Sequence, residues 1–175
     1  MFLSIIQKRR SIRKYLEKPV EAEKIDALVE AALRSPSSRG FNPWEFVVVT
    51  DKTLLEKLSK AKPHGASFLK NASLGIVVCA DPEKCDVWVE DASIASIFIH
   101  LAAESMGLGS CWIQIRKRMH DQTTTAQAYI RDLLDIPENL NVESIVAIGY
   151  PGEKKPPHLK KELQYRKVHY DFYGN

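Results

Sequence analysis

Asp91-Ala92-Ser93-Ile94-Ala95-Ser96-Ile97-Phe98-Ile99-His100-Leu101-Ala102-Ala103-Glu104-Ser105-Met106, followed at once by Gly107-Leu108-Gly109-Ser110-Cys111-Trp112-Ile113-Gln114-Ile115, decides how the rest of the chain is arranged. Ile94, Ile97, Phe98, Leu101, Ala102 and Met106 recur at helical spacing on one side, while Ala92, Ala95, Ile99 and Ala103 occupy others. A helix apolar almost all round is buried on most faces, either within its own domain or against a second chain. Gly107 and Gly109 end it, and residues 110–115 read as a strand.

Working outward, residues 74–80 are nearly free of polar groups, as an interior strand covered on both faces would be. Residues 142–150 supply another strand, and Trp44-Glu45-Phe46-Val47-Val48-Val49 a further one after the Gly- and Pro-bearing loop of residues 35–43. Pro19 and Glu21 open a helix in which Ile25, Leu28, Val29, Ala32 and Leu33 share a face, and Ser35-Pro36 stops it. Asp51 caps a second helix running to about residue 60. Pro63-His64-Gly65 breaks it before a shorter piece around Phe68 and Leu69. Residues 123–134 read as a weaker helix, because three consecutive threonines lower its propensity. The tail from Pro151 starts extended, yet Tyr165, Val168, Tyr170, Phe172 and Tyr173 give its end apolar bulk that needs a surface to cover. Helices and strands alternate, but with too few βαβ units for a doubly wound sheet. The fold class is therefore α+β, a sandwich with a central sheet.

At 175 residues and 45% hydrophobic, the chain fits one domain whose core a second copy could complete. Its net charge of +3, from 25 basic and 22 acidic residues, is too balanced for a general nucleic-acid or membrane binder, so any anion site is local. Cys79, Cys85 and Cys111 are odd in number and form no CxxC. This argues against a disulfide framework or a zinc site and suits a reducing cytoplasm. The apolar run after Met1 is too short for a signal peptide or membrane span, so a soluble, non-exported protein is expected. The histidines at 64, 100, 120, 158 and 169 have no metal-ligand spacing, and His100 reads as a satisfied core residue.

The chain carries little catalytic machinery of its own. Gly107-Leu108-Gly109 lacks the third glycine of a dinucleotide fingerprint and follows a helix, and no GxSxG surrounds Ser37 and Ser38. What it does concentrate is Arg9-Arg10-Ser11-Ile12-Arg13, three guanidiniums and a hydroxyl suited to a phosphate, although charge pattern alone fits a solvated helix end equally. A cofactor that brings its own reactivity reconciles the two observations.

The arginine cluster, Ser35-Pro36-Ser37-Ser38-Arg39-Gly40-Phe41-Asn42-Pro43-Trp44-Glu45-Phe46, the helix running into Gly107-Leu108-Gly109-Ser110-Cys111-Trp112-Ile113, and Ile148-Gly149-Tyr150-Pro151 together resemble, in this order, the nitroreductase family of FMN-dependent NAD(P)H oxidoreductases. The resemblance implies a central, mostly antiparallel sheet flanked by helices in a homodimeric sandwich. Residues 1–175 would form a single FMN-binding domain, with an extension from about residue 151 packing on the partner subunit. Arg9, Arg10, Ser11 and Arg13 would bind the FMN phosphate, ribityl chain and pyrimidine edge. Pro36, Ser37 and Ser38, with Asn42 in the same loop, would approach the flavin of the opposite subunit. Trp112, Ile113 and Gln114 would line the isoalloxazine ring, and Lys160 or Lys161 would reach the phosphate, with Lys154, Lys155 and Arg166 as the other basic candidates.

By the same resemblance, a hydride passes from NADH or NADPH to flavin N5 and on to a small-molecule electron acceptor, a nitroaromatic, quinone or similar compound, in ping-pong order. No side chain acts as a general acid or base, and one arginine of the cluster opposes the charge that develops on the reduced ring. Two departures stand out. Gly40 and Asn42 replace the Asn and Gln of many members, and there is little sequence between Asp81 and Trp88 or after Ile115 for substrate-covering insertions. A flavin-storing or flavin-sensing protein, and reductive dehalogenation on the same scaffold, are the competing readings. No nucleic-acid, membrane or metal partner is expected.

Overall fold

In the computed structural model, which describes residues 2–174, four antiparallel strands form one sheet in the order β1-β2-β4-β3. They are β1 (Trp44–Val49), β2 (Leu74–Ala80), β3 (Gly109–Gln114) and β4 (Asn141–Gly149). All of β2 is buried, as its uninterrupted apolar run requires, because both faces of the sheet are covered. Alternation along β4 sends Ile145 and Ala147 to one face and Val146 and Ile148 to the other. The first face packs on α3 (Lys52–Leu58) and α5 (Ala126–Leu134) through Leu55, Leu58 and Ile130. The second packs on α2 (Ala22–Leu33) and α4 (Trp88–Ser105) through Leu28, Ala92, Ala95, Ile99 and Ala103.

Two boundaries differ from the sequence expectation. The helix expected over 123–134 starts at Ala126, because the Asp121 carboxylate takes the Thr123 and Thr124 N–H groups at 2.8 and 2.7 Å; Thr125 then caps the helix by accepting from the Ala128 N–H at 3.1 Å. The long helix expected from Asp91 already starts at Trp88, with the Asp91 N–H bonded to the Val87 carbonyl at 3.1 Å. Asp91 is therefore inside α4 rather than at its end.

That helix packs on the sheet and on α2, and its outer side stays open. Its small residues sit on the sheet, whereas Ile97 and Phe98 remain 42% and 37% exposed, near Phe2, Leu3 and Ile6 of α1 (Phe2–Lys8), which are exposed as well. Beyond Lys155 the tail makes exposed turns at Lys160–Glu162 and Tyr165–Lys167, and Tyr173 reaches 93% exposure. Among the described residues, no helix is long and apolar enough to cross a membrane.

Residues 11–16 add an extended segment to the open edge of β3. The Ile12 N–H bonds the Ser110 carbonyl at 3.0 Å, the Leu16 N–H the Tyr150 carbonyl at 2.9 Å, and the Gly152 N–H the Lys14 carbonyl at 2.8 Å. Gly109 permits this approach, since a Cβ there would stand 2.9 Å from Ile12 Cβ. Nearby, His100 of α4 is buried with Nδ1 2.7 Å from Ser110 Oγ, as its reading as a satisfied core histidine requires.

Gly109→Ala should cost about 1–3 kcal/mol of stability in urea denaturation, because the added methyl meets the branch point of Ile12 rather than a flexible tip. His100 gives a second expectation. Burial, reinforced by the Arg9 charge, pushes its pKa from 6.5 down to about 4. Above pH 6.5 the ring is neutral folded and unfolded. As pH falls from 6.5 to 4, the unfolded chain binds a proton that the folded one refuses. Stability on the order of 3 kcal/mol is then lost across that window. Unfolding free energies of wild type and His100→Gln, compared between pH 7 and 4, should differ in slope by this amount; parallel curves would contradict it.

Candidate active site

The arginine cluster divides in two when it folds. Arg9, Ser11 and Arg13 turn toward Cys111, where both guanidiniums and the Lys155 ammonium partly offset the burial that raises the thiol pKa. Arg10 and Ile12 line a cleft of about 390 Å³ to which Lys8, Glu104, Lys154 and also Glu153 and Lys155 contribute, so the two groups meet at Lys155; the Arg10 guanidinium donates to the Pro156 carbonyl. Among the described residues, neither Arg9 nor Arg13 forms an ion pair. Two permanent cations without a carboxylate partner on one side of an extended segment make a site suited to an anion.

The C-terminal cation that reaches this cluster is Lys155. Its Nζ donates to the Ser11 carbonyl at 2.8 Å and lies 3.3 Å from Glu153 Oε1, which in turn accepts the Arg13 N–H at 2.6 Å and the Lys14 N–H at 3.2 Å. The Arg13 N–H, with Lys155 beside it, holds the Glu153 carboxyl below the usual carboxylate range. Glu153 is thus a clamp that sequence reasoning missed, since a lone glutamate in a Lys- and Pro-rich tail carries no signal. Lys160 and Lys161 stand in an exposed turn and make no hydrogen bond or ion pair to the cluster among the described residues; Arg166 lies in the next exposed turn.

Strand β3 borders the site on its open edge. Trp112 is half-buried, and its indole N–H donates to Gln114 Oε1 at 2.9 Å; the Gln114 amide donates to the Arg116 carbonyl and to Glu143 Oε1, both at 3.2 Å. The Gln114 amide is therefore occupied within the protein, and the Ile113 side chain lies in the α3–α5 core, which leaves main-chain groups and the indole face for a neighbour. Glu143 on β4 is buried, and burial raises its carboxyl pKa against the opposing effect of the Gln114 hydrogen bond. The guanidinium of Arg13 lies 5.8 Å from the Phe68 ring centroid.

The loop carrying Pro36, Ser37, Ser38 and Asn42 is elsewhere. Ser37 Oγ donates to Asn42 Oδ1 at 2.7 Å and accepts the Asn42 N–H at 2.9 Å, so these two side chains engage each other. Ser38 N–H donates to Asp91 Oδ1 at 2.8 Å, near the start of α4, whereas the arginines gather near His100 and Ser110 at its far end. Nine helical residues separate Asp91 from His100, roughly 14 Å along the axis. One chain therefore brings together Arg9, Ser11, Arg13 and Lys155 beside β3, and holds the serine loop apart from them.

Comparison with known proteins agrees with this architecture. The model of the nitroreductase family matches residues 6–81 and 62–150. A protein of Archaeoglobus fulgidus, provisionally named NADH dehydrogenase/NAD(P)H nitroreductase, is 41% identical over 157 residues, covering 87% of each chain. The structure of an FMN-dependent nitroreductase from Clostridium difficile R20291 superposes with a TM-score of 0.96 at 50% identity, covering 98% of this chain and 99% of that one. An FMN reductase [NAD(P)H] of Bacillus subtilis is 27% identical over 176 residues, covering 87% of this chain and 68% of its own. A family model spanning most of the chain, and a relative so alike over nearly its whole length, establish that this chain belongs to the nitroreductase family.

Proposed function

We propose that this protein is an FMN-dependent oxidoreductase that takes electrons from NADH or NADPH and delivers them to a nitroaromatic, quinone or similar small acceptor. The observation that carries the reading is the convergence of Arg9, Arg13 and Lys155 beside Ser11 on the open edge of β3, with neither guanidinium in an ion pair among the described residues. FMN held there would supply the redox chemistry of hydride transfer. The residues around it bind and orient. Arg9 and Lys155 would hold the phosphate through charge-assisted hydrogen bonds, with Ser11 adding a hydroxyl. Arg13, kept against Phe68, is the cation assigned to the pyrimidine edge, where it would oppose the charge that develops on reduction and raise the potential. Trp112 would flank the ring from β3. No side chain in the cluster is required as a general base, and donor and acceptor using one face in turn gives ping-pong order.

The single domain of residues 1–175 completes itself as a homodimer in this reading. The exposed side of α4, the apolar residues of α1 and the uncovered aromatics of the tail from residue 151 supply the contact, and the serine loop of one subunit meets the flavin of the other. The separation of that loop from the arginines within one chain is what supports a shared site.

Purified protein should be yellow, and its flavin absorbance should bleach on anaerobic addition of NADH or NADPH and return with a quinone. Protein that stays colourless after soaking in excess FMN would overturn the reading. Arg9→Ala and Arg13→Ala should each weaken FMN binding by about ten- to a hundredfold, the worth of one charge-assisted contact, in fluorescence titration. Phe98→Glu should convert a dimeric mass in solution to a monomeric one with loss of flavin; a wild-type protein already monomeric at micromolar concentration would contradict the shared site.

A further inference from the structure

Asp91 is 2% exposed, lies within the first turns of α4, and caps nothing. Its Oδ1 accepts the Ser38 N–H at 2.8 Å and its Oδ2 accepts the Cys85 thiol at 3.4 Å. No cation pairs with it among the described residues. Burying a carboxylate without a counter-cation is unfavourable, and a residue needed only to fill space would be uncharged. The two oxygens are spent on tying α4 to two connections, the loop between α2 and β1 and the one between β2 and α4.

The loop so tied is strained. Arg39, Gly40 and Asn42 have φ of 52°, 69° and 47°, and only the glycine tolerates the left-handed region at no steric cost. Its other hydrogen bonds are internal: Gly40 N–H to the Ser37 carbonyl at 3.2 Å, Phe41 N–H to the Ser38 carbonyl at 3.0 Å, and the Ser37–Asn42 pair. Across residues 36–42, the Ser38–Asp91 bond is the one hydrogen bond to the body of the protein among the described residues. The remaining tether, Arg39 to Asp86 at 3.8 Å, is an exposed ion pair.

We infer that Asp91 is a positioning residue for the flavin site: by holding the Ser38 N–H it fixes the strained loop in the conformation that Pro36, Ser37 and Ser38 present to the cofactor of the partner subunit. This rests on the FMN reading above. A charged acceptor is well chosen for the task, because its hydrogen bond to a backbone N–H is about twice as strong as that of a neutral group.

The test uses the flavin-loaded protein, three single variants, the Asp91→Ala/Ser38→Pro double variant and a Ser38→Ala control. Asp91→Ala removes the acceptor and Asp91→Asn keeps an oxygen for the Ser38 N–H. Ser38→Pro removes the donor, and the Ser38→Ala control accounts for the lost hydroxyl: Ser37 is already extended, with φ −133° and ψ 158°, as a residue before proline should be, and Ser38 opens a 3-10 turn. The FMN dissociation constant, the visible circular dichroism of the bound flavin and kcat/KM with a quinone are measured for each. Asp91→Ala and Ser38→Pro should each weaken FMN binding by about tenfold and alter the dichroism, the value of one charge-assisted hydrogen bond. The double variant should be no worse than the weaker single one, and Asp91→Asn, which keeps only a neutral acceptor, should fall between wild type and Asp91→Ala. Should Asp91→Ala fail to fold, Ser38→Pro reads the same bond with the carboxylate intact. Wild-type dichroism and affinity in Ser38→Pro, or fully additive losses in the double variant, would overturn the inference while leaving FMN binding by the wild type in place. A wild type that takes up no FMN would remove both proposals.

Discussion

The lateral docking of residues 11–16 onto the free edge of β3 is the interaction on which the candidate site depends. A sheet edge presents unpaired N–H and C=O groups, and here the Ile12–Ser110 bond occupies one of them with the chain's own N-terminal segment. Once that segment is extended, its side chains alternate, and Ser11 and Arg13 face Cys111 while Arg10 faces the opposite cleft. Gly109 lets the two backbones approach, and Glu153 binds the Arg13 and Lys14 N–H groups from the far side. The pairing therefore aims the cations, and Glu153 with Lys155 anchors the segment leaving β4.

Helix α4 holds the serine loop near one end and borders the arginine cluster toward the other. Its small residues and Ile99 lie close on the sheet, which leaves Ile97 and Phe98 facing outward and exposed. Its two ends are occupied by buried polar groups of opposite character. Asp91 accepts from a loop N–H and a thiol near the start, and neutral His100 bonds Ser110 beside the arginines near the end. A charged imidazole at that point would repel Arg9, so burial that keeps the ring neutral also protects the cationic cluster from a fourth like charge.

Much of this was legible in the residues. The four strands and the α2, α3 and α4 helices follow from hydrophobic period and turn chemistry, and the continuous apolar run of β2 foretold a sheet covered on both faces. Capping by Asp51 came out as its position suggested, with the Leu54 N–H bonded at 2.8 Å. The start of α5 was misjudged because a local side chain, Asp121, competes for the backbone N–H groups ahead of it. The site was readable as a set of residue types but not as a geometry: the cluster Arg9-Arg10-Ser11-Ile12-Arg13 looks uniform in one dimension, and only an extended backbone splits it.

The amino-acid sequence by itself determined the α+β class, the family and the presence of a local cationic site, because each rests on patterns within a few dozen neighbouring residues. Only the tertiary structure decided that Lys155 rather than Lys160 or Lys161 reaches Ser11, that Gln114 spends its amide and Asn42 its side-chain oxygen inside the protein, and that Asp91 fastens the serine loop. Those assignments join residues up to 144 positions apart, and which partners meet across such a distance is settled by how strands and helices pack, on which local propensity is silent.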